Sequence, residues 1–148
     1  MNKDKLFLEQ AIELAIENRN KGARPFGALL VKDGQIVATG VNNMLASFDP
    51  SSHAELEAIR KMTTSAQTLD LTGCKLYASG QPCPMCLAAI AMTNINEIIY
   101  AFDNNDAAPF NLSSKSLYDK LNIKEINFIK MNKLQTKYTA TQVYSDKS

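Results

Sequence analysis

The run from Cys74 to Met92, CKLYASGQPCPMCLAAIAM, decides how the rest of the chain is read. Cys74-Lys75-Leu76-Tyr77-Ala78 is short and mostly apolar, which predicts a strand, and Pro84 to Met92 predicts a buried helix. Pro84 suits a first helical turn, because it brings a helical φ and lacks an amide that would go unpaired there. Downstream, Glu97-Ile98-Ile99-Tyr100-Ala101 predicts a second strand, Lys115 to Leu121 a short helix and Ile123 to Ile129 a last strand. Strand, helix, strand, helix, strand implies right-handed crossovers and a parallel portion of sheet.

Upstream, Leu8, Ala11, Ile12 and Ala15 recur at helical spacing, with Glu9, Glu13 and Glu17 on other faces. This predicts an amphipathic helix from about Lys3 to Asn20, ending near Lys21-Gly22. GALLVKDGQIVATG then predicts two strands joined by Asp33-Gly34, a two-residue hairpin signal. Polar NNMLASFDPSS predicts a loop, and helical spacing resumes at His53 through Ala54, Ala58, Ile59 and Met62. The whole is an α/β arrangement, a five-stranded mixed sheet covered by helices on both faces. No repeat or linker interrupts it, so residues 1–148 are expected to form one domain. The polar tail from Lys133 to Ser148 is open to a C-terminal helix or a mobile arm.

Composition narrows the function. Apolar residues make up 45% and charged ones 21%, as in ordinary globular proteins. Sixteen basic and 15 acidic side chains leave a formal charge of +1, which gives no strong attraction to a polyanion. No apolar run nears the roughly 20 residues that span a bilayer. The stretch MNKDKLFLEQAIELAIENRNKG carries acids within its apolar part and no small-residue cleavage site, so no secretory signal is expected. The three cysteines do not suggest a disulfide framework, and a reducing, cytoplasmic setting is expected.

Cys83 and Cys86 are the first chemical signal. At a helix start the dipole lowers thiol pKa, and the thiolate is the form that ligates metal. Such a pair can be a redox dithiol, half of a four-cysteine zinc site, or two small core residues. His53 is the only imidazole of the chain. With Cys83 and Cys86 it makes three ligands, the number typical of a catalytic zinc with one open position. The alternative for Ser52-His53-Ala54-Glu55 is structural: Ser52-x-x-Glu55 matches a capping box, in which His53 is an incidental first-turn residue. In the metal reading, Glu55 lies close to the ion without binding it and moves protons between water, substrate and leaving group.

HAE at 53–55 followed by PCPMC at 82–86 resembles the H-x-E…P-C-x-x-C signature of zinc-dependent nucleobase and nucleoside deaminases, the cytidine/deoxycytidylate deaminase superfamily. The resemblance runs from the first helix to about Ala108. Within the family, RPFGALLVKDG, FDPSSHAELEAIRK, PCPMCLAAI and IIYAFDNNDAA are similar to the bacterial guanine deaminase branch. What this implies is a three-layer α/β/α cytidine-deaminase-like fold and hydrolytic replacement of a ring amine by a carbonyl. It further implies one Zn2+ per chain with a bound water or hydroxide, held by His53, Cys83 and Cys86, and Glu55 as proton shuttle. Asn42 matches the family's substrate-contacting asparagine, and the amides of Ala54 and Cys83 could donate to the substrate or the attacking oxygen. Phe26, Phe48, Met92 and Phe110 are candidate pocket walls. The implied partners are a small base or nucleoside, guanine or a related purine first, and a second copy of the chain in a homodimer, with nucleic acid and membrane disfavoured.

The chain departs from the guanine deaminase pattern twice. Pro109-Phe110-Asn111-Leu112-Ser113-Ser114 has no acid where that branch has an acidic pair, and Gln81 replaces the usual glutamate before Pro-Cys. A tRNA adenosine deaminase or a cytosine or cytidine deaminase stays as an alternative. Two other classes also remain: a non-catalytic zinc-stabilised binding domain using Cys74 as fourth ligand, and a thiol redox protein using Cys83 and Cys86.

Overall fold

Apolar residues fill both faces of strand β1 (Gly27–Lys32), where every residue but the last is buried. A strand buried on both faces needs cover above and below the sheet, which is most complete near its middle. In the computed structural model, which describes residues 2–145, β1 indeed sits between β2 (Gln35–Val41) and β3 (Cys74–Gly80), antiparallel to both. Strands β4 (Glu97–Phe102) and β5 (Lys130–Lys133) follow in parallel, giving the order β2-β1-β3-β4-β5. The Asp33-Gly34 hairpin forms with both residues at positive φ, 52° and 77°, as a type I′ turn requires.

Helices cover both faces. On one side lies α1 (Asn2–Asn20), which turns Leu8, Ala11, Ile12 and Ala15 fully inward against Leu29, Val31 and Tyr77. Burying Leu8 and Ile12 contributes about 1.5–3 kcal/mol each. The helix stops at Gly22, φ 90°, where the Ala23 amide donates to Asn18 O and the Gly22 amide to Arg19 O, a Schellman closure. On the other side, α3 (Ala54–Ala66) and α4 (Pro84–Met92) pack Ala54, Ala58, Cys86, Leu87 and Ile90 against Leu30, Leu76 and Ile98.

Glycines set the closeness of these layers. A Cβ at Gly40 would lie 2.2 Å from Ala54 O, so β2 touches the first turn of α3 directly. Gly40→Ala is therefore expected to destabilise the fold by about 1–3 kcal/mol. At about 2–4 °C per kcal/mol for a chain of this size, thermal denaturation checks this; an unchanged Tm would contradict so tight a contact.

Two local expectations, the loop after β2 and the last strand, are corrected, and two segments without an assigned element are filled. The loop after β2 holds one helical turn, α2 (Met44–Ser47), and the segment after β4 holds α5 (Asn104–Ala107) and a 3-10 turn at Ala108–Phe110. A capping box built on Asp103 and Asp106 starts α5. The expected strand from Ile123 to Ile129 does not form. Its apolar residues fall at 123, 126, 128 and 129, a spacing that misses strict alternation, and Ile123 and Ile126 pack onto the α3–α4 side of the core without ladder pairing. The ladder instead takes Lys130–Lys133, after the short helix α6 (Lys115–Lys120). In the tail, α7 (Ala140–Tyr144) forms and packs against α1, while 146–148 lie outside the described residues. Arg19 Nη1 donates to the carbonyls of Gln142 (2.7 Å) and Ser145 (2.7 Å), tying that helix end to α1.

Candidate active site

One edge of the sheet collects the chemistry. Phe26 precedes β1, Asn42 follows β2, and Gln81 follows β3, and the register Gly27↔Val41 puts the first two side by side. Ligands in α/β sheets bind beyond the carboxyl ends of parallel strands, and α4 starts there, just past β3.

His53 is the N-cap of α3, with extended backbone (φ −80°, ψ 157°) and no side-chain cap bond. The capping box of the alternative, structural reading is therefore absent. Ser52 Oγ donates instead to Glu57 Oε2 (2.6 Å), which also accepts from Arg60 Nη1 (2.8 Å). This fixes the approach to α3 and leaves both the imidazole and Glu55 free for other work. Cys83 is the N-cap of α4 and Pro84 opens the helix. Tyr118 Oη, from α6, donates to Pro82 O at 2.5 Å and holds the loop that carries Cys83.

These caps face each other. His53 Nδ1 lies 3.5 Å from Cys83 Sγ and 3.4 Å from Cys86 Sγ. Among the described residues, His53, Cys83 and Cys86 form the one group of His, Cys, Asp or Glu donors that could hold a metal ion, all within 4.8 Å of one another. Glu55 stands outside that group, and so does Cys74, at the opposite end of β3. A closed site with Cys74 as fourth ligand is thus not what the fold assembles. Zinc held tetrahedrally at ordinary Zn–S and Zn–N lengths separates sulfur and nitrogen by about 3.6 Å. The observed spacings fit.

Electrostatics agree. The Cys83 thiol is drawn down to about 4, first by its hydrogen bond with Cys86 and then by His53, while Cys86 moves up because of that same bond and its burial. The pair thus holds one thiolate ready for a metal. The hydrogen bond with Cys83 raises His53. Burial pushes the Glu55 carboxyl up to about 7, and a cation at the three donors would draw it back down.

His53, Glu55 and Cys83 lie at the inner end of a cavity of about 180 Å³. This is small beside the roughly 300–1,000 Å³ of sites for drug-sized ligands. Phe26, Asn42 and Met44 form one wall and Asn111 to Ser114 another, with Gln81 and Arg24 completing it. Asn42 is buried, and its Oδ1 accepts from the Met44 amide at 3.1 Å. Gln81 Oε1 accepts from the Asn104 amide (3.0 Å), tying the cavity to α5.

Three expected walls lie elsewhere. Phe48 caps α2 in the left-handed conformation and is 91% exposed. Met92 ends α4, eight residues or about 12 Å from the ligand end, and is 81% exposed. Phe110 packs at a tilt against Tyr144 (5.7 Å between ring centroids) and does not line the cavity. Ala54 is buried at the first position of α3, where its amide has no acceptor within the helix.

Sequence reasoning missed Asn18. Its Nδ2 donates to Arg24 O and to Asn42 O, both at 2.8 Å, so one carboxamide ties two cavity walls together. The signal was a polar residue continuing the buried stripe Leu8, Ala11, Ala15. Tyr118 and Arg24 carried no comparable mark, whereas Asn111 to Ser114 lie in the segment already set apart by its lack of an acidic pair.

Residues 1–102 match the family model for the cytidine and deoxycytidylate deaminase zinc-binding region. The chain belongs to the cytidine and deoxycytidylate deaminase family. It is 43% identical over 116 residues to guanine deaminase of Bacillus subtilis, covering 78% of this chain and 74% of that one. It is 36% identical over 95 residues to a tRNA-specific adenosine deaminase of Aquifex aeolicus, 64% of this chain and 63% of that one. The crystal structure of B. subtilis guanine deaminase superposes with a TM-score of 0.76 at 39% identity, over 90% of this chain and 85% of that one. The three-layer deaminase fold and membership among hydrolytic nucleobase deaminases follow.

Proposed function

We propose that this deaminase hydrolyses the exocyclic amine of guanine or a closely related purine, with Glu55 as proton shuttle and zinc held by His53, Cys83 and Cys86. The observation that carries the reading is the juxtaposition of three convergent soft donors with a buried carboxyl at the inner end of a cavity sized for one base. The identity with guanine deaminase of B. subtilis supports purine as the base. The near-zero net charge favours a free base over an RNA. We further propose that residues 1–148 act as one domain, in a cytoplasmic homodimer; no described helix is long and apolar enough to cross a membrane.

Zinc, when bound, supplies the Lewis acidity that makes water nucleophilic at neutral pH. The residues of the chain do the rest. Glu55 accepts a proton from the attacking water and delivers it to the ring nitrogen beside the amine-bearing carbon. It then passes a proton to the departing amine, so that base and water become the oxo base and ammonia. The Asn42 carboxamide and the Ala54 amide orient the ring, and Phe26 gives it an apolar wall.

Ammonia release, screened over guanine, adenine, cytosine, their nucleosides and aminotriazines, tests the reading. Guanine is expected to be the best substrate. Turnover confined to an RNA anticodon stem would overturn it.

A further inference from the structure

Arg24 is the one arginine of three with a free side chain. Arg19 Nη1 is spent on the carbonyls of the C-terminal segment and Arg60 on Glu57, whereas no hydrogen bond or ion pair is made by the Arg24 guanidinium among the described residues. Its backbone is fixed all the same. Arg24 O accepts from Asn18 Nδ2 (2.8 Å) and from the Phe26 amide (2.9 Å), and Pro25 follows it. The residue is exposed, yet it lines the cavity, and so stands at its solvent side. No other arginine or lysine lines the cavity, and Glu55, at the inner end, is its one carboxylic acid. The wall facing the cavity at Asn111, Ser113 and Ser114 is neutral.

The chemistry of a purine fits this polarity. When the C2 amine of a 6-oxopurine enters toward Glu55, the O6 and N7 acceptors lie across the ring, toward the open side where Arg24 stands. An arginine fork matches O6 and N7 with two parallel donors. A 6-amino group there would set donor against donor. A phosphate is a poorer match, since a single cation with no second basic residue in the cavity lining makes a weak phosphate site.

We propose that Arg24 reads the O6/N7 edge of a 6-oxopurine bound in the cavity and so sets the preference for 6-oxo over 6-amino bases. The proposal rests on the purine reading of the site and deepens it.

Binding of non-reacting bases tests it. Hypoxanthine has O6 and N7 but no amine to lose, and unsubstituted purine lacks O6. Calorimetric titration of the zinc-loaded protein with each is compared with Arg24→Ala and Arg24→Lys. Arg24→Ala is expected to weaken hypoxanthine binding by about 5- to 150-fold and purine binding by less than about twofold, with Arg24→Lys in between. Undetectable hypoxanthine binding by the unsubstituted protein, equal losses for both bases, or no loss for either would overturn the proposal. So would a larger loss for inosine 5′-phosphate than for hypoxanthine, which would mark a phosphate site. Ammonia release from guanine, measured in parallel, is a separate readout: its absence alongside an Arg24-dependent hypoxanthine affinity sinks the guanine-deaminating reading and leaves the edge-reading role standing.

Discussion

Glu55→Gln is expected to lower kcat/KM for ammonia release by about 10²–10⁴-fold while one zinc per chain stays bound. The carboxyl is buried, 7% exposed, at the second position of α3, and it is not among the donors that converge on His53 Nδ1. Glutamine keeps its length and volume, so packing against the core is preserved. What it loses is the ability to take up and release a proton, which the reaction requires at water, at the ring nitrogen and at the amine. Burial raises the carboxyl and a cation at the three donors would lower it again, so the group is held between two opposing influences. Ammonia release with zinc content measured on the same preparation decides the matter. A Glu55→Gln protein that holds zinc and keeps its rate would remove Glu55 from the mechanism.

His53→Ala is expected to cost both the metal and the activity. The imidazole supplies the only nitrogen of the three donors, and no other histidine exists in the chain to replace it. Because His53 caps α3 without a side-chain bond and is only partly buried, its removal leaves the helix start supported by Ser52, Glu57 and Arg60. Zinc per chain, by atomic absorption after gel filtration, should fall from near one toward zero. Stripping the unsubstituted protein with a strong chelator should reproduce the loss, and added zinc should reverse it. A ligand at 100 to 1,000 times its Kd stabilises by about 2.7–4.1 kcal/mol, so the stripped protein should melt about 5–15 °C lower. Purified protein without zinc but with a reversible Cys83–Cys86 disulfide would instead favour the thiol redox reading.

Legibility followed the physics of each segment. Helix α1, the hairpin and the β3–α4 junction were readable because strong local signals and tertiary demand agreed: a period of 3.6, Asp33-Gly34, and Pro84 at the first turn. Strand β5 was not, because KMNK lies at the sheet edge with little apolar surface, while the more apolar residues 123–129 satisfy burial without pairing. The convergence of His53, Cys83 and Cys86 was readable because metal chemistry restricts residue type and spacing. The walls were harder. Phe48 and Met92 were named for their apolarity, which says nothing about which way a helix end points. Asn18 and Arg24 act through a carboxamide and a free guanidinium, whose partners only the folded chain brings near. Ser52 and Glu55 fitted a capping pattern that lost to Glu57, a competitor two residues further along α3.

The two outer strands of the sheet differ in a way that bears on how the protein behaves when crowded. At β5, exposed Lys130 and Lys133 discourage a further strand from adding to the open backbone. At β2, Gln-Ile-Val-Ala-Thr-Gly-Val carries no charge at all, and Ile36 is 39% exposed. Within a single chain, β2 is therefore the unguarded margin of the sheet. Concentration-driven aggregation, if it begins from the native state, begins there, and a lysine in place of Ile36 is the substitution that would close it.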